Sequence, residues 1–195
     1  MYRSVLLTVA GVLFLLYPVF RPWADETTVD GAHEAMVSTS WVVAHVFAMI
    51  GFVLVPIAVL GLQDRIGTAP AVVMWIGAGL TLPYYGAEAF GLHAVATNDG
   101  NLLDIAEAVR YEPIAVTMFA IGLLTLAAGA VVVAVRLTDQ VPAYVFAAGF
   151  VLFLPQFFTP APMRIAHGVL MLIGLVWLGV AVKPKELARA GLRSG

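Results

Sequence analysis

The sequence predicts an all-α integral membrane protein, a polytopic bundle of six transmembrane helices that forms one domain over residues 1–195. Three observations predict it. Apolar residues make up 62% of the chain and charged residues 11%, and the mean hydropathy is +0.96; soluble domains average roughly 45–50% and about 25%. The apolar residues gather into six runs, each close to the about 20 residues that cross a bilayer. The basic residues fall mostly into loops on one side of those runs.

The runs are Ser4–Phe20, Trp41–Leu62, Pro70–Val95, Pro113–Arg136, Val141–Phe158 and Met163–Val182. Each must be helical, because a spanning backbone cannot leave its polar groups unpaired in lipid. With both termini cytoplasmic, Arg3, Arg65, Arg136, Lys183, Lys185, Arg189 and Arg193 lie inside, and only Arg21, Arg110 and Arg164 lie outside. That bias sets the orientation and predicts a multi-pass protein of the cell membrane. The first run follows Arg3 as a signal peptide's apolar region would, but "RPWA" lacks a small-x-small cleavage pattern, so it reads as a retained span. A net charge of −2 points away from nucleic acid, and the absence of cysteine removes disulfides and thiolate ligands. Membrane lipid is the partner the composition implies; the oligomeric state is open.

"PAVVMWIGAGLTLP" (Pro70–Pro83) matches "PAYVFAAGFVLFLP" (Pro142–Pro155) at corresponding offsets. A duplicated helical hairpin explains the match, as does the small alphabet of apolar helices. On the first explanation, Pro83 and Pro155 kink their spans at similar depths. Between the third and fourth runs, "NDGNLLDIAEAVRYEP" reads as a short amphipathic surface helix capped by Asn98 or Asp99. The basic tail "KPKELARAGLRSG" is placed against anionic lipid.

Function is sought among ionisable residues inside the apolar runs. A charge at mid-bilayer costs about 2.5–3.5 kcal/mol on insertion scales, so such groups face a partner or a cavity. His45, His93 and His167 all lie toward the outer ends of their spans, at one depth to within about a turn at roughly 1.5 Å per residue. His33 lies in the first outer loop. Glu88 sits five residues before His93, about 7–8 Å deeper. Gly86 and Gly91 flank Glu88 and ease distortion or close approach there. "AHVFAMIG" and "AHGVLMLIG" place His45 with Met49, and His167 with Met171, on one face of their helices.

The leading expectation is a His/Glu site near the outer face that holds haem b or a transition metal for electron transfer or redox chemistry. For haem b, His45 and His167 are the preferred axial pair and His93 the alternate; Gly51, Gly168 and Gly174 give room, and Arg164 and Arg110 meet the propionates. For a bare ion, His45, His93, His167 and Glu88 are the ligands, with zinc, iron or copper as the metal and Glu88 as general base in a membrane hydrolase or oxygenase. A redox protein or a quinone would be the partner. The alternatives are a small transporter or channel that uses Glu88 as its proton or cation site, and a non-catalytic membrane subunit. A structural reading stands beside these: histidines near helix ends often bond to backbone or water, and Met and Phe stripes are usually packing. Neither HExxH nor HxxxH occurs in the spans, and whether the protein is an enzyme is left open.

Overall fold

Apolar sequence with helix-compatible spacing gives helices throughout, and the computed structural model describes residues 2–98 and 101–182. Among the described residues ten α-helices run in order: α1 (Tyr2–Phe20), α2 (Val29–Val37), α3 (Thr39–Leu60), α4 (Gln63–Ile66), α5 (Ala69–Gly86), α6 (Leu92–Thr97), α7 (Leu102–Arg110), α8 (Pro113–Arg136), α9 (Val141–Val151) and α10 (Ala161–Ala181). A π-helical turn, Ala87–Gly91, joins α5 to α6, and a 3₁₀ turn, Pro155–Phe158, follows α9. Among the described residues, α1, α3, α8 and α10 are long and apolar enough to cross a membrane. The basic tail lies outside the described residues.

Six rods build the body. In chain order α1, α3, α5, α8, α9 and α10 each pack on the next, and α10 packs back on α1, closing a ring. Arg3 pins that closure. Its guanidinium donates to the carbonyl oxygen of Gly61 at the end of α3 (2.9 Å) and to that of Val182 just past α10 (2.7 Å). One cation thereby satisfies carbonyls that helix ends leave unpaired. At the same end Arg136 donates to the Ile66 carbonyl.

Small residues set how closely the rods approach. A Cβ at Gly77 of α5 would lie 2.7 Å from the Gly122 carbonyl oxygen of α8, and one at Gly122 would lie 2.9 Å from the Gly77 oxygen. Gly51, Gly168 and Gly174, expected to make room for a cofactor, instead face the Phe14 ring, the backbone of Phe14–Leu15 and the backbone of Phe146. They bring protein against protein.

The two halves of the sequence repeat take different shapes. α5 continues through Pro83 to Gly86, whereas α9 stops at Val151, four residues before Pro155. Proline has no N–H to give the carbonyl four residues back, and the chain leaves the α-helix there. The Val141–Phe158 run is therefore an 11-residue helix followed by a tight turn. The axis is filled by Phe14, Phe52, Phe150 and Phe153, whose rings meet at 5.1–6.2 Å.

At the end away from Arg3, α2, α6 and α7 form a cap with its own small core of Ala32, Ala35, Met36, Trp41, Leu92, Ala96, Leu102 and Ala106. α7 is the expected surface helix, with Leu102 and Ala106 turned inward, but it starts after Asn101, whereas Asn98 ends α6 and Asp99 lies outside the described residues. α2 forms where a loop is expected between the first two runs. It is started by Thr28, whose hydroxyl accepts from the Gly31 N–H.

Gly122→Val will force α5 and α8 apart. The expected cost is about 1–3 kcal/mol, read as a lowered thermal midpoint of the detergent-solubilised protein; an unchanged midpoint would disprove close α5–α8 packing.

Candidate functional site

The bundle opens beneath the cap into a cavity of about 710 Å³, within the usual size of ligand sites. Its charged rim comes from Arg21, Glu26, Glu88, Arg110 and Arg164, its walls from Tyr84, Phe119, Leu154 and Phe157, and Tyr17, His45 and Tyr85 lie toward the interior.

The rim begins at the π-helical turn. Five residues of wider helix carry Glu88 inward, where it is 7% exposed. Arg110, the last residue of α7, grips it in two places: Nε donates to Oε1 (2.7 Å) and Nη2 donates to Oε2 (2.9 Å). The same Nη2 donates to Glu26 Oε2 at 2.8 Å, and Arg21 Nη2 donates to Glu26 Oε1. Four charges therefore alternate in a chain, Arg21–Glu26–Arg110–Glu88. Burial tends to raise the Glu26 carboxyl, but the guanidinium groups of Arg21 and Arg110 outweigh it and hold its pKa below the ordinary value. Burial tends to lower the Arg110 pKa; the carboxylates of Glu88 and Glu26 outweigh that and raise it, so Arg110 stays charged.

Trp41 stands at the centre of this chain. It is fully buried, and its Nε1 donates to the Glu88 carbonyl oxygen at 2.7 Å. The Arg21 guanidinium lies 4.8 Å from its ring centroid and that of Arg110 5.9 Å, inside cation–π range. The sequence marks Trp41 only as the start of an apolar run, and it does not single out Arg21 or Glu26 as site residues. All three are contributed to the site by the α1–α3 connection and the first turn of α3.

The histidines separate. His45, one turn beyond Trp41, donates its Nδ1 hydrogen to the Trp41 carbonyl oxygen (2.7 Å). Its Nε2 is then the lone-pair nitrogen, and the residue lines the cavity among Tyr17, Trp41 and Tyr85, with ring centroids 4.5–5.9 Å away. His93 donates to the Met36 carbonyl oxygen under the cap (2.7 Å). His167 donates through Nε2 to the Gly149 carbonyl oxygen between α10 and α9 (2.8 Å). Neither lines the cavity, and His33 is exposed on α2.

Two expected groupings are corrected by this geometry. Among the described residues no three His, Asp or Glu side chains gather as a metal-binding group, so His45, His93, His167 and Glu88 do not form one ligand set. The His45–His167 axial pair is likewise divided, since His167 spends its Nε2 hydrogen on a packing contact. Equal depth fixed the height of each ring but not the direction in which its helix turned it. Of the expected site residues, the cavity brings together His45, Glu88, Arg110 and Arg164. Met171 packs on Gly149, and neither it nor Met49 lines the cavity.

Besides His45 Nε2 and the unpartnered Nε of Arg21, Tyr85 and Arg164 at the cavity keep unused capacity. Tyr85 is 2% exposed, and its hydroxyl, beside Tyr17, has no partner in hydrogen-bond geometry among the described residues. Arg164 has no carboxylate within ion-pair distance among the described residues.

No family model, curated protein or solved structure matches the chain.

Removing one member of the Glu88–Arg110 pair strands the other charge. Arg110→Gln is expected to cost about 3–5 kcal/mol, whereas Arg110→Gln combined with Glu88→Gln will recover much of it; thermal unfolding of the two variants measures the difference. The pH dependence follows from Glu26. A carboxyl whose pKa is depressed by folding stabilises the protein above its ordinary value of 4.5, and that stabilisation is lost as pH falls through the folded value. The thermal midpoint of the native protein should therefore drop on acidification below about pH 4.5, and Glu26→Gln should drop less. Parallel curves would exclude the pairing.

Proposed function

We propose that the protein spans the cell membrane six times with both termini cytoplasmic, and that its outer-facing cavity binds a small amphipathic molecule. The observation that carries this reading is the cavity's division of labour. His45 and Tyr85, which carry unused polar groups, are 3% and 2% exposed, aromatic and aliphatic side chains form the walls, and four of the charged side chains are matched with one another. A ligand's polar group meets the His45 lone pair or the Tyr85 hydroxyl, while its apolar body lies along Phe119, Leu154 and Phe157. Leaving buried polar groups unpaired costs about 1–3 kcal/mol each, and an occupant that pairs them recovers that cost.

The transport reading loses ground on two points. Both oxygens of Glu88 are held by Arg110, and the axis inward of the cavity is filled by Phe rings. Haem b keeps a specific observation in its favour. A metal-ligating histidine usually donates its second nitrogen to a carbonyl or carboxylate, as His45 does to Trp41. In that reading His45 would hold the haem iron, and the group would supply electron transfer.

Filling the cavity tests the first reading. Ala120 lines the wall, and Ala120→Trp should abolish co-purification of a bound amphiphile, read by mass spectrometry of an organic extract, while the thermal midpoint changes little. Equal extracts from both proteins would overturn it. A Soret band in the purified protein that His45→Ala removes would establish haem b instead.

A further inference from the structure

Among the described residues, Arg164 is a cavity cation with no carboxylate within ion-pair distance. Its guanidinium is held between two rings, 5.0 Å from the Trp23 centroid and 5.0 Å from that of Phe157. Its Nε donates to Gln156 Oε1 at 3.1 Å, and Gln156 is itself buried in the 3₁₀ turn. The side chain is thus clamped in position by an amide and two aromatic faces. Arg21 and Arg110, by contrast, are matched against Glu26 and Glu88. A fixed guanidinium on a partly apolar wall is a seat for a carboxylate or phosphate, which it can meet with parallel hydrogen bonds. The setting adds to the field. Arg164 lies in the first turn of α10, which begins at Ala161 with no side-chain cap, and Pro160 and Ala161 also line the cavity. The positive end of that 21-residue helix favours an anion at the same spot.

The wall beside Arg164 continues the shortest of the six rods. α9 has 11 residues, about 16 Å of helix at 1.5 Å per residue, against a hydrocarbon core of about 30 Å. Its continuation is the 3₁₀ turn that carries Phe157 and Phe158, and Phe158 is 85% exposed. Across the gap, α8 presents Val116 and its connection presents the exposed Tyr111; both line the cavity, as Phe158 does. On this side the cavity is lined by Val116 and by the exposed rings of Tyr111 and Phe158, which suits a molecule already dissolved in the bilayer.

We infer that the cavity's occupant is an anionic amphiphile, a hydrocarbon body with a carboxylate or phosphate head, and that Arg164 is the residue that reads the head. This rests on the cavity being a ligand site, as proposed above, and adds the charge of the ligand and its route from the lipid. Arg164 is a specificity-determining contact; the Arg21–Glu26–Arg110–Glu88 chain shapes the site without binding the head.

The test uses tryptophan quenching. Trp75 and Trp177 point outward from the bundle and are replaced by Phe, which leaves Trp23, 5.0 Å from Arg164, and buried Trp41 as reporters. The full chain in maltoside micelles is titrated with 9,10-dibromostearate, with its neutral methyl ester, and with a dibrominated phosphatidylglycerol. An acid that binds about tenfold or more tighter than the ester, the value of one charge-assisted hydrogen bond, is the expected result. Arg164→Gln should erase that preference, and Arg164→Lys should keep most of it, which separates loss of charge from loss of fold. Tighter binding of the fatty acid than of phosphatidylglycerol identifies a free carboxylate as the head, and the reverse identifies a phospholipid; either supports the inference. Equal affinity for acid and ester, or a preference that survives Arg164→Gln, overturns it while leaving a neutral ligand in the cavity. Absence of saturable quenching by all three probes sinks both the inference and the cavity reading.

Discussion

The site depends on keeping four charges close together where water is scarce. An isolated carboxylate or guanidinium loses far too much hydration to sit beside Trp41 unpaired. Alternation solves this: each of Glu26 and Arg110 touches two opposite charges, while Arg21 and Glu88 end the chain. The contributions come from the segment after α1, the π-helical turn and the end of α7, so satisfying the charges also fixes where these three segments meet. Trp41 supplies what the ion pairs cannot. Its indole N–H holds the Glu88 backbone, and its ring receives the Arg21 guanidinium. Cap and rim are in this sense one construction, with an electrostatic inner layer and the small hydrophobic layer of α2, α6 and α7 above it.

The cavity itself arises from two irregularities in otherwise regular rods. A π-helical turn lets Glu88 project inward at the end of α5, and the loss of helix after Val151 leaves one side of the wall to a 3₁₀ turn. Neither is costly in place. The widened turn still closes its backbone bonds, with the Leu92 N–H bonded to the Ala87 carbonyl, and π-helical turns recur at functional sites in helices. The regular parts do the opposite work: Phe14, Phe52, Phe150 and Phe153 fill the axis and give the cavity a floor.

How much of this was legible in the sequence varied with the kind of inference. Apolar run length located all six rods, because burial in hydrocarbon or in a core imposes the same composition over the same length. α7 was legible from its polar and apolar faces. The end of α9 was not: Pro155 reads equally well as a kink or a stop, and only neighbouring packing decides. Glu88 was legible as costly and therefore partnered, and Arg110 was already suspected near the site. Their direct pairing was not legible, since it crosses a connection of unknown path. His45 was found, but grouping it with His93 and His167 was an error of azimuth. A residue count gives depth along a helix at about 1.5 Å per residue, whereas facing depends on how each helix is rotated against its neighbours. Arg21 and Glu26 were missed because a charged loop is ordinarily solvated, and nothing local distinguishes one that folds back over a tryptophan.

Arg3 has a consequence for the order in which the molecule can be completed. Its two carbonyl partners lie 58 and 179 positions further along the chain. The first helix can therefore find its neighbour α3 early during synthesis, but its other flank must wait for α10, the last rod made. Until then the barrel has an unsealed seam along α1, with Ser4 still lacking the Gly179 carbonyl to which its hydroxyl donates. Contacts of such high sequence separation form slowly, because the intervening chain must be ordered first. The nascent protein is consequently open-sided along α1 until α10 packs there.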